Sequence, residues 1–154
     1  MSGAAEAANQ ATVLLVEDNR DHAELIRRSF RENAVSARIE HVADGETALR
    51  YLSHLGEYRD ELRSPVPQLV LLDLRLPRID GLEVLREMKS SDRLKHIPAV
   101  ILTTSDAERD VARAYAEHAN SYLVKPVDFE KFDGLMRDLG RYWLGWNRQP
   151  AGGA

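Results

Sequence analysis

Four short, unbroken apolar runs punctuate this 154-residue chain, and they limit its fold more than any other feature. They are Val13-Leu14-Leu15-Val16, Leu69-Val70-Leu71-Leu72, Pro98-Ala99-Val100-Ile101-Leu102 and Tyr122-Leu123-Val124. A run without polar alternation suits a strand covered on both faces, the condition of a parallel sheet. Arg38 to Val42 is more polar and alternates, so it reads as an edge strand. Between the runs the period becomes helical. His22 to Glu32 sets Ala23, Leu25, Ile26, Ser29 and Phe30 on one stripe, and Glu46–Leu55, Leu82–Met88, Ala107–Glu117 and the segment from Phe129 follow suit.

Helix starts are marked as well. Asp80-Gly81-Leu82-Glu83 and Ser105-Asp106-Ala107-Glu108 have the form of capping boxes, and Asp128 is placed to cap the last helix. Asp44-Gly45 and Asp80-Gly81 could each turn a hairpin, but helical stripes follow both, so strand-to-helix loops fit better. Five βα units in succession imply right-handed crossovers and an α/β, doubly wound parallel sheet with helices on both faces.

Composition narrows the class. The chain has no cysteine, which removes disulfide frameworks, thiol catalysis and thiolate metal sites. A net charge of −4 argues against nucleic acid as a direct partner. There is no run of about 18 apolar residues to cross a membrane, and Met1 to Ala11 lacks the regions of a signal peptide. The expected organisation is a flexible tail over 1–11, one cytoplasmic domain over 12–147 ending in an extended C-terminal helix, and a flexible tail over 148–154.

Ligands of such sheets bind at the carboxyl ends of the strands, beside a topological switch point. The first strand ends in Glu17-Asp18, the third in Asp73, the fourth in Thr103-Thr104 and the fifth in Lys125-Pro126. Convergence would place three carboxylates, one or two hydroxyls and an ammonium in a small volume. Carboxylates about 4 Å apart repel by about 4 kcal/mol at an effective dielectric near 20. Such a cluster raises a pKa or recruits a cation, and oxygen ligands without His or Cys favour Mg²⁺. Taken singly, each feature has an ordinary reading as a solvated acid, a β-former or a turn. Their coincidence is what points to phosphoryl chemistry.

The stretches Val13-Leu-Leu-Val-Glu-Asp-Asn19, Leu71-Leu-Asp-Leu-Arg-Leu-Pro-Arg-Ile-Asp-Gly81, Ala99-Val-Ile-Leu-Thr-Thr104 and Tyr122-Leu-Val-Lys-Pro126 resemble the receiver domain of two-component response regulators, the CheY-like family. Thr103 lies thirty residues past Asp73 (103 − 73 = 30), and Lys125 fifty-two (125 − 73 = 52), as that family spaces them. The resemblance implies a flavodoxin-like five-stranded sheet in the order 2-1-3-4-5. It implies that Asp73 accepts a phosphoryl group from a histidine kinase, and that Asp18, Asp73 and the Arg75 backbone carbonyl ligate Mg²⁺, with Glu17 acting through water. Lys125 would pair with a phosphoryl oxygen, Thr103 would bond another, and Tyr122 would swing inward, altering the face of the fourth and fifth helices. The Lys125–Pro126 bond is cis in such domains. The chain would then be no enzyme beyond its own phosphorylation and dephosphorylation.

Two features depart from the family's pattern: Arg75 and Ser105, at positions that in this family influence how water reaches the acyl phosphate, and the length of one segment. The segment Gly56 to Pro67 is long and could extend the second helix before turning at its prolines. Only twenty-nine residues follow Lys125 (154 − 125 = 29), too few for a DNA-binding output domain, so the expected output is the domain's own surface. Phe132, Met136, Tyr142, Trp143 and Trp146 belong to a wide apolar band on the last helix and are the expected interface of a symmetric homodimer. Together with Ser90-Ser-Asp-Arg-Leu-Lys-His-Ile-Pro98, Ala119-Asn-Ser-Tyr122 and Tyr142-Trp-Leu-Gly-Trp-Asn147, the insertion makes the chain most similar to receivers that partner bacterial phytochrome kinases. The rival chemistry is a haloacid-dehalogenase-like phosphatase with Asp73 as nucleophile. It needs an acid two residues on, where Arg75 stands. The five histidines, at 22, 41, 54, 96 and 118, are assigned to the surface or to packing.

Overall fold

The structure, a computed structural model, describes residues 10–150. Strands β1 (Ala11–Val16), β2 (Ala37–Val42), β3 (Leu69–Leu72), β4 (Ala99–Thr103) and β5 (Ser121–Val124) form one parallel sheet in the order β2-β1-β3-β4-β5. The helices are α1 (Arg20–Glu32), α2 (Gly45–Leu52), α3 (Gly81–Ser90), α4 (Glu108–Ala116) and α5 (Phe129–Arg141). Among the described residues no helix is long and apolar enough to cross a membrane.

Strand alternation divides the core into two layers. Leu14, Val16, Val70, Leu72 and Ile101 point to one face, where Ala48, Leu52, Val84, Leu85, Met88 and Ala114 from α2, α3 and α4 cover them. Val13, Leu15, Leu69, Leu71, Val100 and Leu102 point to the other, beneath Ala23, Ile26 and Phe30 of α1 and Phe132, Met136 and Leu139 of α5. The central strands are apolar but for Thr12 and Thr103, because both faces are covered. β2, at the edge, is only half-buried over most of its length.

Asn19, Asp44, Asp80 and Asp128 each accept a backbone N–H in the first turn of the helix that follows, which satisfies one otherwise unpaired donor. The box expected at Ser105–Glu108 does not form. Ala107 is the cap residue of α4 and gives no side-chain bond; the Ser105 hydroxyl instead donates to Asp110 Oδ2 at 2.6 Å. The same hydroxyl oxygen accepts Ala107 N–H at 3.3 Å, so it serves the turn before α4 and not the helix's own first turn.

Four further expectations change. Ala11 already pairs with Ala37 in β1, and Gln149 donates to the Gln68 carbonyl, so residues of both supposed tails are bonded; 1–9 and 151–154 lie outside the described residues. The 56–67 segment does not extend α2, which ends at Leu52 because His54 and Gly56 take left-handed φ values of 53° and 60°. The segment folds back as a 3-10 turn at Gly56–Tyr58, tied by Tyr51 Oη donating to the Pro65 carbonyl and by His54 Nε2 against the Ser64 carbonyl. The last helix is α-helical only to Arg141 and then widens into a π turn over Tyr142–Trp146, closed by Asn147 N–H on the Tyr142 carbonyl. Finally, Phe132 and Met136 are 4% and 0% exposed beneath the sheet, so they are core and offer a partner no surface. The apolar band is wider than one helix face, and its inner part is occupied by the domain itself.

Helices α1 and α5 are fastened across that core by Asp133. Its Oδ1 accepts from Ser29 Oγ at 2.6 Å and Asn33 Nδ2 at 3.0 Å. Asp133→Ala leaves two partly buried donors without this acceptor and should cost about 1–3 kcal/mol, read as a lower urea midpoint with unchanged slope.

Candidate functional site

The sheet reverses its winding between β1 and β3, and the loops that leave their carboxyl ends diverge there. The strand ladder continues one residue into the crevice. Glu17 N–H bonds the Val42 carbonyl, Asp73 N–H the Val16 carbonyl, and Lys125 N–H the Thr103 carbonyl. Three charged residues are therefore held by the sheet itself rather than by mobile loops.

Their side chains meet. Lys125 Nζ lies 3.1 Å from Asp73 Oδ2, is bonded to Glu17 Oε1, and lies 3.0 Å from His22 Nδ1. Asp73 Oδ1 accepts from Thr103 Oγ1 at 3.0 Å and from Arg75 N–H at 3.1 Å. Glu17, Asp73, Thr103 and Lys125 are all buried. Asp18 is exposed, and one carboxylate oxygen each from Glu17, Asp18 and Asp73 falls within 4.8 Å of the others. Three hard oxygen donors with one open side suit a small divalent cation that keeps several of its waters.

Electrostatics favour such a cation. Burial pushes the Glu17 carboxyl above its ordinary value of 4.5, with Asp73 adding repulsion and Lys125 pulling the other way. The close packing also depends on Gly81 at the start of α3. A Cβ there would lie 2.1 Å from the Asp73 carbonyl oxygen and 2.7 Å from Leu74 Cα, so a larger residue would displace the end of β3.

The structure places the other predicted residues around this centre. The Arg75 side chain turns away and pairs with Asp110, Nη2 to Oδ2 being 3.5 Å. The Ser105 hydroxyl holds the Asp110 carboxyl below its usual range, and Arg75 adds to the effect. Tyr122 Oη donates to the Ser105 carbonyl at 2.8 Å, and burial raises its phenol. A chain of contacts thus runs from the loop after Asp73 to α4 and the Tyr122 ring. The Lys125–Pro126 peptide is trans, as are all bonds among the described residues, which corrects the cis expectation. Trans is the lower-energy isomer even before proline, and Lys125 reaches both carboxylates from it.

Two histidines assigned to the surface or to packing belong at this site. His22 touches Lys125, and His41 Nε2 lies 2.6 Å from the Glu17 carbonyl oxygen. Their places held the signal. His22 is four residues past Asp18, in the first turn of the helix that leaves the site, and His41 stands at the end of the edge strand beside β1.

Comparison with known proteins agrees with this geometry. The family model described as "Response regulator receiver domain" matches residues 13–137. The chain is 49% identical over 146 residues to "Probable methanogenesis regulatory protein FilR2" of Methanothrix harundinacea, covering 94% of this chain and 91% of that one. It is 37% identical over 139 residues to response regulator Rcp1 of Synechocystis, covering 90% and 92% respectively. The crystal structure of the phosphorylated cyanobacterial phytochrome response regulator RcpA superposes with a TM-score of 0.86 at 36% identity, covering 92% of this chain and 99% of that one. The Mn²⁺-bound form of Rcp1 gives 0.84 at 37% identity, covering the same shares.

The raised Glu17 value has a measurable consequence in the metal-free protein. Between 4.5 and the raised native value, the folded state binds more protons than the unfolded chain. Glu17's contribution to stability is therefore full below 4.5 and lost as pH rises through the native value. Urea titrations from pH 4 upward should show this decline in the wild type, and Glu17→Gln should flatten it.

Fold, strand-end chemistry and family model coincide over the same stretch of sequence, and the chain belongs to the response regulator receiver domain family as a two-component response regulator.

Proposed function

We propose that Asp73 accepts a phosphoryl group from a phosphohistidine on a sensor histidine kinase of the bacterial phytochrome class, in the cytoplasm. The observation that carries this is the buried Asp73 carboxylate, bonded on one oxygen to Thr103 and on the other to Lys125. An Asp73 oxygen attacks phosphorus, the P–N bond to the donor imidazole breaks, and the freed imidazole leaves with its electron pair. No base is needed, since the nucleophile is a carboxylate. Lys125 and Thr103 transfer their hydrogen bonds from Asp73 to phosphoryl oxygens, which supplies positioning and charge stabilisation. Asp18, Asp73 and the Arg75 carbonyl, with Glu17 through water, would hold Mg²⁺; when bound it neutralises charge on the reacting oxygens. The phosphatase alternative loses support because the residue two past Asp73 is an arginine whose side chain is paired to Asp110.

Phosphorylation adds about −1.5 to −2 charges and three acceptor oxygens. As Thr103 turns to them, Tyr122 follows inward and gives up its bond to the Ser105 carbonyl, at a cost of about 0.5–1.5 kcal/mol. That releases the start of α4 and changes the surface of α4 and α5. A homodimer through Tyr142, Trp143 and Trp146 is the output we favour, Trp146 being 83% exposed. The phytochrome class of kinase is supported by the likeness to Rcp1 and RcpA. Hydrolysis of the acyl phosphate by water completes the cycle.

Incubating the protein with Mg²⁺ and acetyl phosphate should add one phosphoryl mass, and size-exclusion chromatography of the same sample should show a dimer. Asp73→Asn should show no mass gain; unchanged labelling in that variant overturns the assignment. Mg²⁺ should also stabilise the unphosphorylated fold. At one hundred times its dissociation constant the gain is about 2.7 kcal/mol, or about 5–10 °C in melting temperature for a domain of this size. EDTA should reverse the shift, and Asp18→Asn should abolish it.

A further inference from the structure

We propose that His22 is a positioning residue for Lys125, holding the ammonium in place while its two carboxylate partners change their bonding; the inference rests on the phosphoacceptor reading of Asp73. An ammonium has three N–H donors and no acceptor. Lys125 Nζ has three partners: Glu17 Oε1, Asp73 Oδ2 and His22 Nδ1. Two of the three are drawn into the reaction. Asp73 is esterified, and Glu17 sits in the cation cluster. His22 is the remaining partner and takes no part in either event, so it can keep its bond to Nζ from start to finish.

Its own anchorage fits that role. His22 lies in the first turn of α1, where its backbone N–H donates to the capping Asn19 Oδ1 at 3.1 Å. The ring reaches inward with Nδ1, 3.7 Å from Glu17 Oε1, while 38% of the side chain stays exposed at the mouth. A lysine side chain has four rotatable bonds, and one of the groups that hold Lys125 at its tip, Asp73, must release it. Without His22, Nζ is free to follow Glu17 and is badly placed for the phosphoryl oxygen. His22 does not touch Asp73 and acts only through Lys125.

Half-exposure of the ring also makes the site testable without emptying the core. His22→Leu keeps bulk and removes the acceptor, whereas His22→Asn restores an oxygen acceptor near the Nδ1 position. Phosphorylation of the full chain by acetyl phosphate with Mg²⁺ is followed across donor concentrations for both variants and the wild type. We expect His22→Leu to lower the maximal rate about tenfold or more, with the half-saturating donor concentration unchanged, and His22→Asn to recover most of it. A second readout needs neither metal nor donor. In ¹⁵N-lysine NMR of the metal-free protein, the slowly exchanging ammonium signal of Lys125, assigned with Lys125→Met, should survive in His22→Asn and vanish in His22→Leu. A wild-type rate with an intact signal in His22→Leu overturns the proposal and leaves the phosphoacceptor reading standing. So does a change confined to the half-saturating concentration, which would make His22 a donor contact, or a failure of Asn to rescue. Absence of any phosphoryl uptake by the wild type overturns both.

Discussion

The Lys125 ammonium, buried between Glu17 and Asp73, is the interaction on which the site depends. Three carboxylates at this spacing could not share a crevice without compensation. Removing one member of a buried ion pair typically costs about 3–5 kcal/mol, because the other charge is left without a partner. The same arrangement is poor at satisfying every carboxylate at once. Glu17 keeps a raised proton affinity despite its bond to Lys125, since burial outweighs the attraction.

The sheet supplies what the charges need, which is rigidity at the strand ends. The backbone bonds of Glu17, Asp73 and Lys125 extend the ladder past the last strand residues, so the three side chains start from fixed points. The loop after Asp73 must then return tightly enough for α3 to pack. Gly81 permits it by bringing backbone within van der Waals reach of the Asp73 carbonyl, where no Cβ fits. Gly45 does the same against the Ile79 carbonyl, so the loop is gripped from two helices.

The contacts that lead away from the site are of ordinary strength. Arg75 reaches Asp110, Asp110 accepts from Ser105, and the Ser105 carbonyl accepts from Tyr122. Each such bond is worth about 1 kcal/mol. The opposite end of the domain has a different character. The insertion and the π turn close the amino-terminal rim of the sheet, and Trp146 stands out into solvent while Trp143 is half-buried.

Much was legible in the order of residue types. Apolar runs of three to five residues between helical stripes determine a parallel sheet, and the residue after each run is Glu17, Asp73, Thr103 or Lys125. Side-chain partnership was not legible. Ser105 accepts from Ala107 N–H and donates to the Asp110 carboxylate, and only the turn of α4 brings that carboxylate within reach. The apolar band of α5 is too wide to say which stripe lies under the sheet, so Phe132 and Met136 looked available when they are core. His22 and His41 carry no spacing of their own, and they join the site because helix α1 and strand β2 fold their ends toward Glu17. Patterning along the chain sets which faces are buried, because water acts on every residue by the same rule. Which atoms then meet is decided by packing between segments distant in sequence, and that exists only in the folded protein.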